Sequence, residues 1–172
     1  MIRKFQNHTP QIPDSCYIFP TATIIGDVVL GENVIAYPGV VIRGERHKVV
    51  IGDNTNLQEN STIHMEWDRD CIIGSGVTIG HNAIIHACTI CDNVLVGMGA
   101  IVQDGAVIGE NSFIGAGALI PRKMIVPPPA AWSTVSLPGL YAPSRKQSTK
   151  KSGNLPQSIS STNKIWKHRT QP

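Results

Sequence analysis

An aliphatic residue returns at every sixth position through most of residues 30–120, and this period limits the possible folds more than any other feature of the chain. The leading positions run Leu30, Ala36, Ile42, then Ile51, Leu57, Ile63, then Ile73, Ile79, Ile85, then Ile90, Val96, Val102, Ile108, Ile114, Ile120. Glycine follows many of them, as in Ile51-Gly52, Ile79-Gly80 and Val96-Gly97. A small or aliphatic residue follows four places on, as at Val77, Ala83 and Ala100. Six matches neither the 3.6-residue turn of a helix nor the two-residue alternation of a half-buried strand. It matches a short strand plus a corner. Three such units close a triangular coil of about 18 residues, and coils stack at about 4.8 Å.

The expected fold is therefore all-β: a left-handed parallel β-helix of six-residue repeats over residues 18–120. A lead-in at 1–17 precedes it, and an irregular basic tail at 121–172 follows. Each coil buries its apolar edge only against its neighbours. The glycine beside the leading residue is expected to supply corner conformations that other residues resist. Nine residues separate position 42 from 51 and ten separate 63 from 73, which implies loops of three and four extra residues. One step, from 85 to 90, is only five.

This register fixes where the histidines point. His64 follows leading residue Ile63, and His86 follows Ile85. The 22 residues between those leaders are one coil plus the four-residue loop. Both histidines thus occupy one corner, a coil apart, close enough for two imidazoles to share an ion. Arg43 follows Ile42 and joins the same column. His81 and Gln58 belong to the hexads led by Ile79 and Leu57, one face earlier around the triangle. A single prism points those faces apart. A cyclic three-fold assembly would bring one subunit's His81 to its neighbour's His64 and His86, since head-to-tail contacts can close into a ring. Three imidazoles leave a tetrahedral Zn²⁺ one open position for water. Imidazole ligands accept Fe²⁺, Co²⁺ or Cu²⁺ as well.

Charge narrows the partners. Residues 1–120 carry twelve acidic and six basic residues, a net of −6, while residues 121–172 carry nine basic and no acidic residues, +9. A mildly acidic body is a poor nucleic-acid binder. No stretch approaches the ~20 apolar residues of a membrane span, and Met1 to Cys16 has no apolar run of signal-peptide length. The expectation is a soluble cytoplasmic protein with no membrane partner. Cys16, Cys71, Cys88 and Cys91 do not read as a disulfide framework. Cys88 and Cys91 form a CxxC without the βαβ context of a redox motif, so they read as core and corner residues.

Over about residues 10–125 the sequence resembles the gamma class of carbonic anhydrases. The resemblance rests on Ile42-Arg43-Gly44-Glu45, Asn56-Leu57-Gln58-Glu59, Ile63-His64, the run Gly80 to His86, and Val96-Gly97-Met98-Gly99-Ala100. The hexad repeat alone is shared with many acyltransferases, whereas the H-x16-H-x4-H spacing is strongly specific. The resemblance implies a homotrimer in which His64 and His86 of one subunit and His81 of the next bind Zn²⁺, with Fe²⁺ or Co²⁺ as alternatives. It implies reversible hydration of CO₂ to bicarbonate. It also implies catalytic roles for Gln58, beside the metal-bound water, and for Arg43, in an intersubunit ion pair. Glu45 and Glu59 stand where the family usually has Asp, and trimer-holding charges suit them as well as catalysis does. Glu66, in the short acidic stretch with Asp68 and Asp70, is the proton-relay candidate.

Other readings use the same site. A metal-dependent thioesterase or hydrolase of acyl-CoA-type substrates would use the same ion. A non-catalytic metal-binding trimeric subunit would need no turnover. A hexapeptide acyltransferase would need one catalytic histidine and no metal, against which the stacked pair argues. After Pro121 the repeat and the acidic residues vanish together, which is what a shifted reading frame would give.

Overall fold

The computed structural model describes residues 1–132. Every regular element among them is a strand, and the strands stack into a parallel β-solenoid with three faces. The first face carries, in stacking order, Thr62–His64, Ile84–His86, Ile101–Val102 and Leu119–Ile120. The second carries Cys71–Ile73, Thr89–Ile90, Val107–Ile108 and Ile125–Val126. The long strand Val41–Ile51 crosses the corner between them and joins both into one eleven-stranded sheet. The third face is a separate seven-stranded sheet running from Tyr17–Ile18 to Ala131–Trp132.

The leading aliphatics form the core. Ile42, Ile63, Ile85, Val102 and Ile120 lie in register behind the first face and are all fully buried. Leu57, Ile79, Val96 and Ile114 do the same behind the third. Each buried aliphatic side chain of this kind contributes about 1.5–3 kcal/mol relative to exposure. Side chains alternate across a strand, so the residues on either side of these leaders face outward. No helix among the described residues is long and apolar enough to cross a membrane.

Three sequence expectations change. The repeat does not end at Ile120: strands Ile125–Val126 and Ala131–Trp132 pair with Val107–Ile108 and Phe113–Ile114 and extend the stack. Val126 is buried in the core, and Lys123 holds the left-handed corner (φ 59°) that glycine fills at Gly105 one coil earlier. A lysine there hides the motif from sequence. Residues 133–172 of the basic tail lie outside the described residues, as does any frame-shift question about them. At the other end, Ile2–Arg3 of the lead-in already pairs with Ile24–Ile25. The three-residue insertion after Ile42 is not a separate loop either. It is taken up inside the continuous strand Val41–Ile51, where Gly44 and Val49 pair with Gly26 and Val28 across a register shift.

The glycines have a different purpose from the one expected. Left-handed backbone falls further round the corner, largely on asparagine and glycine, as at Asn54 (φ 56°) and Asn82 (φ 58°). Asparagine tolerates that conformation better than most residues. The glycine after the leading residue is instead required by close approach of the next coil. A Cβ on Gly97 would lie 2.5 Å from the backbone nitrogen of Ala116 and 2.7 Å from the carbonyl carbon of Gly115. Backbone cannot swing aside as a side chain can. Gly97→Ala is expected to cost about 1–3 kcal/mol, the usual range for overpacking. It should appear as a lower urea midpoint at unchanged slope.

Candidate metal centre

Arg43, His64 and His86 occupy three successive rungs of the first face, Arg43 pairing with His64 and His64 with His86. The column drawn from sequence spacing is therefore the observed one. Both rings point outward and are half-buried. Their centroids lie 5.1 Å apart with planes tilted by 53°, and His64 Nδ1 is 3.1 Å from His86 Nε2.

The outer nitrogens meet carboxylates. Glu45 Oε2 is 2.9 Å from His64 Nε2, and Arg43 donates to Glu45 Oε1 at 2.5 Å. Asp104 Oδ1 is 2.5 Å from His86 Nδ1, and Arg122 holds the other Asp104 oxygen at 3.2 Å. Partial burial pushes the Asp104 carboxyl up, but the hydrogen bond from His86 and the charges of His86 and Arg122 outweigh it. The net direction is below the ordinary carboxylate range, so Asp104 is ionised and His86 Nδ1–H donates.

The row Glu45, His64, His86, Asp104 contains three contacts, each needing one shared proton. Two uncharged imidazoles would carry only two. The third contact takes one further positive charge, which an added proton or a metal cation between the rings would supply. Two imidazole nitrogens on one tetrahedral ion, at Zn–N distances of about 2.0–2.1 Å, stand about 3.3 Å apart. The observed 3.1 Å fits with little movement. Glu66, His86 and Asp104 also bring one donor atom each to within 4.8 Å of one another. Arg122 on Asp104 sets a positive charge beside that cluster, so the gap between the two rings is the better cation position.

His81 sits at the corner before the strand Ile84–His86, while His86 ends that strand. His81 lies in the turn that the Ala83 amide closes on the Gly80 carbonyl at 3.1 Å, at the other end of the face from the His64–His86 pair. Its Nδ1 lies 2.7 Å from Glu59 Oε2, which leaves Nε2 free to face outward. Gln58 is half-buried beside Glu59 on that same corner, likewise away from His64 and His86. Glu66 does approach the pair, with Oε2 4.0 Å from His86 Nδ1, the nitrogen that Asp104 also meets. Of its two acidic companions, Asp70 is engaged with His47 at 3.2 Å and the Lys48 amide at 2.8 Å, which ties the strand crossing to the turn. Cys88 lies buried against Cys71 of the preceding coil rather than beside Cys91.

Two features escaped the sequence reading. Asp104 and Arg122 were never singled out, although Asp104 lies two residues past Val102, the partner of Ile85 in the next coil. The second is an open cleft of about 310 Å³ running from His64 past Arg43, Glu45 and Glu66 to an apolar wall that includes Phe5 and Trp67. Arg46 lies over the Trp67 ring, its guanidinium carbon 3.2 Å from the centroid.

Residues 87–122 match the model of the bacterial transferase hexapeptide family, six repeats. The chain is 36% identical over 129 residues to the mitochondrial gamma carbonic anhydrase 1 of Arabidopsis thaliana, covering 72% of this chain and 47% of that protein. It is 44% identical over 106 residues to a carbonic anhydrase of Geobacillus kaustophilus, covering 62% and 58%. The chain thus spans about half the length of these curated relatives. Among solved structures, a hexapeptide transferase family protein from Anaplasma phagocytophilum superposes with a TM-score of 0.74 at 40% identity, over 77% of this chain and 78% of that one.

Proposed function

The chain belongs to the gamma carbonic anhydrase-like family of hexapeptide-repeat proteins, and from that premise we propose that it is a metal-dependent lyase. It hydrates CO₂ reversibly to bicarbonate at the subunit interfaces of a homotrimer. The observation that carries this reading is the His64–His86 pair, 3.1 Å apart with each outer nitrogen on a carboxylate. His81 of a neighbouring subunit completes the ligand set, and the ion is Zn²⁺, with Fe²⁺ or Co²⁺ as alternatives.

The assembly follows from the same face. Ile84, Ile101 and Leu119 stack in register and are 36–43% exposed. This apolar stripe lies between the corner that carries His81 and the one that carries His86. A neighbour covering it would bring its own histidine corner to the open side of the pair.

A Lewis-acid cation held by three imidazoles makes water nucleophilic near neutral pH. The chain's own residues do the rest. Gln58, half-buried next to Glu59, presents an amide that can donate to a substrate oxygen across the interface. Arg43, through Glu45, holds His64 in place. Glu66, 40% exposed, can take the released proton on Oε2 and pass it to solvent. The apolar wall of the cleft keeps water off a nonpolar substrate.

The test is metal content and CO₂ hydration on anaerobically purified protein, wild type against His81→Ala. The expected result is one metal per subunit with activity, and loss of both in the variant. Absence of metal from the wild type would sink the proposal. The cleft also favours a second reading, since about 310 Å³ exceeds what CO₂ requires. A metal-dependent thioesterase or hydrolase of acyl-CoA-type substrates would fill it. Metal with thioester hydrolysis but no CO₂ hydration would select that reading. Metal with neither activity would select a non-catalytic subunit.

A further inference from the structure

We propose that Asp104, locked by Arg122, is the positioning residue that fixes the ring nitrogen His86 presents to the metal. The inference rests on the metal reading above and assigns Asp104 and Arg122 a task that the reading leaves open.

An imidazole can carry its proton on either nitrogen, and only the bare nitrogen can bind a metal. A second group must choose between them. For His86 that group is Asp104, whose Oδ1 sits 2.5 Å from Nδ1. A carboxylate can choose only if it does not itself rotate away. Asp104 is held twice. Its side chain is 15% exposed, and Arg122 binds the second oxygen at 3.2 Å. Its own carbonyl also accepts the Lys123 amide of the following coil at 2.9 Å. The three residues come from three successive turns of the solenoid, so the stacking register sets the geometry of the row. With Nδ1 protonated, Nε2 is bare and faces His64 Nδ1.

Glu66 is the other carboxylate near His86 Nδ1. It is less suited to the task, being 4.0 Å away and 40% exposed, with Oε1 accepting the Trp67 amide at 2.8 Å. Arg122 and Lys123 lie in the stretch that sequence patterning assigned to an irregular tail. Their inclusion in a further coil is what gives Asp104 its second partner.

The test uses the full chain in two arms. In the first, Zn²⁺ affinity is measured by competition with a chromophoric chelator for wild type, Asp104→Ala and Arg122→Met. Loss of a carboxylate that orients a metal-binding histidine typically weakens metal binding by about 10–100-fold. That loss is expected for Asp104→Ala, with a smaller one for Arg122→Met, at unchanged metal-free melting temperature. In the second arm, long-range ¹H–¹⁵N spectra of the metal-free proteins at about pH 8, where imidazole is neutral, report the His86 tautomer. Wild type should show Nδ1–H alone, and Asp104→Ala a mixture of both tautomers. If both affinity and tautomer stay as in wild type, the proposal is overturned. If the wild type binds no Zn²⁺ yet the tautomer shifts in Asp104→Ala, the metal reading falls while the control of His86 by Asp104 stands. Should Asp104→Ala fail to fold, Asp104→Asn keeps an acceptor without the charge, and an affinity and tautomer equal to wild type in both Asp104→Asn and Arg122→Met overturn the proposal.

Discussion

Mixing two inactive variants, His81→Ala and His86→Ala, should restore about a quarter of the metal sites if, as proposed, each site draws on two subunits of a ring. His81→Ala keeps the His64–His86 pair intact, and His86→Ala keeps His81 intact. After unfolding and joint refolding at equal concentrations, a complete site forms only where the first kind of subunit offers its pair to the second kind. Random assembly places them so at about one interface in four. Each variant refolded alone should hold no tightly bound metal. The structure motivates this by placing His81 in the turn before the strand Ile84–His86 and His86 at that strand's end. It also shows His81 anchored to Glu59 at 2.7 Å. The readouts are bound metal per trimer and CO₂ hydration in the refolded mixture. No recovery, with both variants well folded and trimeric, would mean that the ligands come from a single chain or that His81 is not among them.

The column of Arg43, His64 and His86 was legible because stacking turns spacing into position. Loops of known length can be subtracted, and what remains is one coil. The fully buried leaders were legible for the same reason. What spacing does not encode is side-chain direction at a corner. It gave no sign that Glu45 takes His64 Nε2 or that Asp104 takes His86 Nδ1. The short step between Ile85 and Ile90 contributes, since it moves Asp104 one place off the regular count. The coil beyond Ile120 was hidden by chemistry rather than arithmetic. Lysine at the left-handed corner and three consecutive prolines remove the usual signals. The backbone still pairs there, since Met124 and Val126 accept hydrogen bonds from the Val107 and Gly109 amides of the coil before. Glycine was located correctly and explained wrongly: its periodic position reflects contact between coils, which a single strand's pattern does not reveal.

Ile101→Lys should convert the assembly to monomers and abolish tight metal binding while leaving His64, His81 and His86 all in place. Ile101 is outward-facing on the first face, between Ile84 and Leu119, and contributes nothing to the core behind it. The metal-free monomer should therefore melt close to the wild-type subunit. In the proposed assembly the same position is covered, and a buried ammonium without a partner costs several kcal/mol. A ring repeats that cost at every interface, which is enough to dissociate it at micromolar concentration. Sedimentation velocity reads the assembly state, and metal analysis on the same sample reads the site. The two should fail together, because an isolated chain offers only the His64–His86 pair, short of the three imidazoles that hold a structural or catalytic ion firmly. A monomer that retained one tightly bound metal per chain would refute the interfacial site. A trimer that persisted with its metal would show that the apolar stripe faces solvent and that subunits meet elsewhere. The coupling of the two losses is the discriminating result, since a defect confined to the metal ligands would leave the trimer whole.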